Sequence, residues 1–241
     1  LFRSLAKSGY QMLLTITNNN SSKELEYVDL FEAYPVDGII LVGTVLTRAH
    51  KKKLKECKVP IVVIGQYTKE TSCVYHDDYG AAKALAEQVG REASGRVAYI
   101  GVTREDKAAG AAREDGFREG LKEVGKELEE SCLRRAKFTM ESGYEQAVDL
   151  LEKEHDIDII SCATDTIAAG AIEAIAQYSP ERKIQVTGFG DNQFLKAVTG
   201  GIRTVHFAYQ TSGIKGAELL LEMIESEKTR MTEMKLGCEL V

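Results

Sequence analysis

The chain has 241 residues, 31 of them basic and 37 acidic, for a net charge of −6, and 44% of it is apolar. That length accommodates one large domain or two smaller ones, and the acidic balance argues against nucleic-acid binding by these residues, which needs clustered Lys and Arg. No apolar run approaches the ~20 residues of a membrane span, and no signal-peptide pattern opens the chain.

Apolar runs alternate with amphipathic segments. In chain order the runs are "YQMLLTIT", "DGIILVG", "PIVVIG", "RVAYIGV", "CLRRAKF", "DIIS", "IQVTGFG" and "RTVHF". Continuous runs of this length, often ending in Gly, read as buried parallel strands. Between them Ala82, Leu85, Ala86 and Val89 recur at helical spacing, as do Tyr144, Ala147, Val148 and Leu151, and Ile214, Ala217, Leu221 and Ile224. The alternation predicts an α/β fold of doubly wound parallel sheets. Lys51, Lys52 and Lys53 read as a solvated helix face, with a contact surface as the alternative.

The five cysteines (Cys57, Cys73, Cys132, Cys162, Cys238) are scattered and form no C-x-x-C, which suits a reducing compartment. The four histidines show no H-x-x-x-H spacing, and neither a metal site nor a cofactor is expected. The "GFG" of "VTGFGDNQF" lacks the third glycine of a dinucleotide loop, and the carboxylate of Asp191 would repel a pyrophosphate. The stretch reads as a strand ending in a polar turn.

Ligands of such sheets bind beyond the carboxyl ends of the strands. Those ends carry Asp77 and Asp78 after "CVYH", Thr103 to Asp106 and then Arg113 after "RVAYIGV", Thr164 and Asp165 after "DIISCA", Asp191 after "IQVTGFG", and Phe207, Tyr209 and Gln210 at the end of "RTVH". Carboxylates and Arg bind vicinal hydroxyls in bidentate fashion, and an aromatic ring offers a platform to a sugar face. The set suits a polyhydroxylated ligand. Each member has a plainer reading: Asp77, Asp78 and Asp165 as helix caps, Arg113 as a surface helix residue, Phe207 as core. There is no G-x-S-x-G, no Walker loop and no His paired with Cys or Ser at telling spacing, so no catalytic residue is assigned and the chain is not read as an enzyme.

The ordered set "VYHDDYGAAKAL", "RVAYIGVTREDKAAGAAREDGFREGL", "CATDTIAAGAIEAI", "VTGFGDNQF" and "IRTVHFAYQTSGIKGAELLLEMI" resembles the effector-binding core of the lac repressor family, whose fold is similar to that of periplasmic sugar-binding proteins. Within the family the segments look most like sucrose-operon repressors, with trehalose-operon repressors second. The resemblance implies a cytoplasmic, homodimeric transcription repressor that answers to a sugar or sugar phosphate. A periplasmic sugar-binding transport receptor of the same fold is the rival reading.

The resemblance carries roles to Asp78 and Arg113 as ligand contacts, to Thr164 and Asp165 in place of the family's usual Asn-Asp pair, and to Asp191, which follows Gly190 where many members have a sugar-anchoring Asp. Phe207 stands where others often have Gln, and is expected to stack on the sugar ring. The family's helix-turn-helix, through which operator DNA is read, is not in the sequence, and neither is its first core strand; "LFRSLAKSGY" looks like the second half of its first helix. Upstream residues are therefore expected in the native polypeptide. Two subdomains are expected, residues 1–102 with 207–231 and residues 103–206 with 232–241, with the sugar between them.

Overall fold

The structure, a computed structural model, describes residues 1–226 and 230–241. It divides into two compact units, Leu1–His76 with Ala208–Gly237 and Asp77–Phe207 with Cys238–Val241. The chain passes from one to the other after His76, Phe207 and Gly237. The first unit opens with α1 (Phe2–Lys7), α2 (Ser21–Ala33), β1 (Ile39–Val42), α3 (Arg48–Glu56), β2 (Ile61–Ile64) and β3 (Ser72–His76). The second holds α4 (Asp78–Glu92), β4 (Arg96–Gly101), α5 (Arg113–Glu123), β5 (Leu133–Arg135), α6 (Met140–Lys153), β6 (Ile157–Cys162), α7 (Asp165–Tyr178), β7 (Gln185–Phe189), α8 (Gln193–Thr199) and β8 (Arg203–Phe207). The chain then returns through α9 (Tyr209–Glu225) and β9 (Glu233–Leu236) and ends on β10 (Cys238–Leu240).

The sheet of the first unit has the order β1-β2-β3-β9, all parallel. All four residues of β2 are buried because both faces are covered, which is why this strand reads as an unbroken apolar run. Val62 and Val74 pack with Leu219 and Leu220 of α9, and Ile61 and Val63 with Val28 of α2 and Leu54 of α3. Thr47 caps α3 in a box closed by His50. That imidazole is buried and its Nε2 lies 3.1 Å from Glu24 Oε2, tying α3 to α2. Lys51 and Lys52 are exposed on α3, while Lys53 turns to Asp29 and Glu32.

The second unit is built on the order β10-β8-β7-β6-β4-β5, parallel except for β10 against β8. Helix α4 packs with α5, and α6 with α7. Ala82, Leu85, Ala86 and Val89, expected on one helix face, are all fully buried there.

Three expectations are corrected. The first boundary falls at His76/Asp77 and not near 102, because β4 pairs with β5 and β6 while α4 packs on α5. Residues 232–241 do not stay together: β9 joins β3 in the first unit and β10 joins β8 in the second. The run "YQMLLTIT" is in neither sheet; Leu13, Leu14 and Ile16 are each more than two-thirds exposed. A strand is stable only with a paired neighbour, and β1, one of the two outer strands of the first sheet, is bonded among the described residues to β2 alone.

Leu85 is fully enclosed in the core of the second unit. Leu85→Ala is expected to lower unfolding free energy by ~2–5 kcal/mol, the range for a buried Leu cavity. Urea denaturation of the two proteins measures it.

Candidate functional site

Strands β4, β6, β7 and β8 run parallel, so their carboxyl ends meet at one end of the second unit. Arg113, the first residue of α5, is drawn into that end and is buried. Its Nε donates to Asp78 Oδ1 (2.7 Å) and its Nη1 to the carbonyl oxygen of Ala163 (2.6 Å), just past β6. The guanidinium carbon lies 4.9 Å from the ring centre of Phe189 and 4.7 Å from that of Phe207, at the ends of β7 and β8. Each arrangement is a favourable cation–π contact, stronger for being desolvated. Nη2 has no hydrogen-bond partner among the described residues.

Local structure explains how Arg113 reaches this place. Asp77 caps α4, its Oδ1 accepting from Gly80 N (3.1 Å), which leaves Asp78 in the first turn free to face Arg113. A π-helical turn, Lys107–Ala112, precedes α5, and Asp106 caps it by accepting from Ala108 and Ala109 N (both 2.9 Å). Gly110 lets this turn lie on the preceding loop; a Cβ there would stand 1.9 Å from the Thr103 carbonyl oxygen. Glu114, beside Arg113, is buried and paired with Arg135, Arg104 and Arg118. Burial alone would raise its carboxyl, but the Arg135 hydrogen bond and the three guanidinium charges outweigh it and hold the carboxyl below its usual range.

A second network occupies the other face of β7 and β8, as the two-residue period of a strand dictates. Asp165 Oδ1 accepts from Thr204 Oγ1 (2.7 Å) and Oδ2 from Asn192 N (2.7 Å), so both oxygens of this buried carboxylate are committed. Asp165 also answers the question of the "GFG". A Cβ at Gly188 would stand 2.2 Å from Asp165 Oδ1, while Phe189 points to the opposite face and Arg113. Gly190 (φ 141°) and Asp191 (φ 52°) then turn the chain into α8. Asp191 Oδ2 meets His206 Nδ1 (2.8 Å), and Oδ1 pairs with Lys196.

The six residues singled out from the sequence thus fall into two groups. Asp78, Arg113 and Phe207 come together on one face. Thr164 spends its hydroxyl capping α7, accepting from Ile167 N (3.2 Å), and Asp165 and Asp191 staple loops on the other face. Phe207 is a correction: its ring is 1% exposed, stacks on Phe189 (6.3 Å between centres) and lies beside Arg113, so it offers no open platform for a sugar. Phe189, the Ala163 carbonyl, Thr204 and His206 were not foreseen. The alternation of glycine and aromatic in "GFG" was the one available signal, since it marks a strand with one crowded face and one filled by a ring.

Two measurements check this geometry. Gly188→Ala must displace the Asp165 carboxylate and is expected to destabilise by ~1–3 kcal/mol, the scale of overpacking, in urea denaturation. The Asp191 carboxyl is held low by its Lys196 hydrogen bond, against burial, with help from His206. A depressed carboxyl stabilises the folded state fully above its unfolded value, about 4, and that contribution is lost as pH falls through the lower folded value. Asp191→Asn should therefore be less stable than the parent at neutral pH and lose less stability between neutrality and pH ~3; parallel pH profiles would exclude the contribution.

The sequence model for periplasmic binding proteins and the sugar-binding domain of the LacI family matches residues 2–240. Among curated proteins, the sucrose operon repressor of Staphylococcus xylosus is 28% identical over 223 residues, 90% of this chain and 68% of its own length. The transcriptional regulator TreR of Salmonella typhimurium is 24% identical over 221 residues, 90% of this chain and 67% of its own. Among solved structures, a transcriptional regulator CelR–cellobiose complex superposes with a TM-score of 0.89 at 23% identity, covering all of this chain and 75% of that one. The trehalose repressor of Escherichia coli superposes at 0.85 and 20% identity, covering all of this chain and 91% of that one. These likenesses share the α/β fold of parallel-sheet units described above, and the chain belongs to the family of periplasmic binding proteins and LacI-type sugar-binding domains.

Proposed function

We propose that this chain is the effector-binding core of a lac-repressor-type transcription regulator and that its effector is a sugar of the sucrose class. The observation that carries the reading is Arg113: a guanidinium fixed by Asp78, the Ala163 carbonyl and two rings, with Nη2 left for a ligand oxygen. Curated relatives are named as transcriptional repressors and regulators, among them the sucrose operon repressor at 28% identity. Operator DNA would be read by a helix-turn-helix outside these 241 residues. The five free cysteines suit a cytoplasmic protein, and among the described residues no helix is long and apolar enough to cross a membrane.

Electrostatics select among sugars. Asp78 already neutralises Arg113, and the neighbouring Arg104, Arg118 and Arg135 are taken by Glu114, Asp115 and Glu130. The site holds fixed donors and little net positive charge, which suits an uncharged polyol better than a phosphate monoester. Binding of the effector would shift the population of conformations that hold operator, acting through a homodimer matched to a symmetric operator.

Calorimetry with sucrose, trehalose and cellobiose, each with and without a phosphate on a primary hydroxyl, tests this directly. The unphosphorylated sugars are expected to bind more tightly, and no binding by any of them would overturn the reading. Arg113→Ala would strand the buried Asp78 carboxylate and confuse folding with binding. Arg113→Lys keeps the charge but loses the planar fork, and is expected to lower sugar affinity by about tenfold or more, since a charge-assisted bond contributes ~1.5–3 kcal/mol. Light scattering should give twice the chain mass.

A further inference from the structure

The core of the second unit contains a phenol whose polar end goes unanswered. Tyr99, on β4, is fully buried, and its hydroxyl has no hydrogen-bond partner among the described residues. Buried hydroxyls are almost always paired, and one that is not bears its full desolvation cost. A Phe or Leu at this position would fill the same space without that cost.

The position of the ring indicates where the missing partner belongs. Tyr99 packs on Phe117 with ring centres 4.9 Å apart. Phe117 follows Arg113 by four residues on α5, so the two share a helix face, with Arg113 one turn nearer the strand ends. Gly101, two residues on and on the same face of β4, lies against the Cε1 edge of the ring; a Cβ there would stand 3.0 Å from that atom. The ring therefore lies along the strand with its hydroxyl end towards residue 101, the carboxyl end of β4, where Arg113, Glu114 and Arg135 are its charged neighbours. Burial raises the phenol's pKa well above its ordinary value, so it is a neutral donor at physiological pH.

We propose that the Tyr99 hydroxyl is a further group of the ligand site, donating to an oxygen that arrives with the effector beneath Arg113, either the sugar's own or that of a water trapped under it. The proposal rests on the sugar-binding reading above and adds a residue to it. It makes Tyr99 a selector for ligands that present an acceptor oxygen at that depth.

Tyr99→Phe removes the hydroxyl and little else. Without ligand, the variant is expected to melt at the same temperature as the parent or higher, because an unsatisfied polar group has been removed. A lower Tm would mean that the hydroxyl is already bonded inside the free protein, and the assignment would fall. In calorimetry with the sugars that bind the parent, Tyr99→Phe is expected to lose affinity by about tenfold, the scale of one hydrogen bond. Equal affinity in parent and variant overturns the role of Tyr99 alone. A parent that binds none of the sugars overturns the underlying reading and Tyr99's role with it. A crystal structure of the sugar complex separates the two sources: a sugar or a water oxygen within hydrogen-bond distance of Tyr99 Oη supports the proposal and names which, and a hydroxyl still alone refutes it.

Discussion

A guanidinium buried among strand ends is the constraint around which the second unit is organised. A charge removed from water is strongly disfavoured unless it is paired. Arg113 satisfies that condition with groups from four places: Asp78 at the start of α4, the Ala163 carbonyl beyond β6, and the rings closing β7 and β8. Each of these groups is at the end of its element, so one side chain fixes the relative position of four termini that the sheet alone would leave to their loops. What remains of the fork is a donor held in place before any ligand arrives. Preorganisation of this kind strengthens binding because little side-chain freedom is left to lose.

The other face of the same two strands carries the opposite solution. There a carboxylate, Asp165, is buried and gathers donors from β8 and from the loop entering α8. Neither face is independent of the other, because β7 presents Gly188 to Asp165 and Phe189 to Arg113 in consecutive positions. The glycine makes room for the carboxylate, and the ring supports the guanidinium. A shift of one residue in the register of β7 would put the ring on the carboxylate and leave the guanidinium without its support.

Much of this was legible in the sequence, for reasons that differ by level. Long apolar runs alternating with helical patterns define a doubly wound sheet because both faces of each strand need apolar cover, as in β2 and β4. Candidate residues at strand ends follow from the same topology. The partition of those residues does not: whether a side chain at a strand end faces Arg113 or Asp165 depends on the phase of the strand, and one residue reverses it. Phe207 was read as a platform because aromatic rings stack on sugars and on guanidinium groups alike; the sequence cannot say which partner is nearer. The division between units was misplaced for a related reason. Past Arg96, strand β4 is a buried apolar run like β2 and could serve either sheet by composition, and only its pairing with β5 and β6 assigns it.

The two sheets also end differently, and the difference bears on which parts are self-sufficient. In the second unit the outer strands are blunted: β5 is short and carries Arg134 and Arg135, and β10 is three residues long and antiparallel to its neighbour. Short charged edges of this kind discourage further pairing. In the first unit β9, at one edge, carries Glu233 and Lys235, but β1, at the other, is Ile-Ile-Leu-Val, with no charge, proline or bulge, and Val42 at its end is 62% exposed. The stretch that holds Leu13, Leu14 and Ile16 adds more uncovered apolar surface to the same unit. An edge with free backbone groups and apolar side chains is the geometry that accepts another strand. The organisation around Arg113 lies wholly in the second unit, so the chemistry of the candidate site is built on the sheet whose edges are short and charged or antiparallel, while the open apolar edge belongs to the first unit.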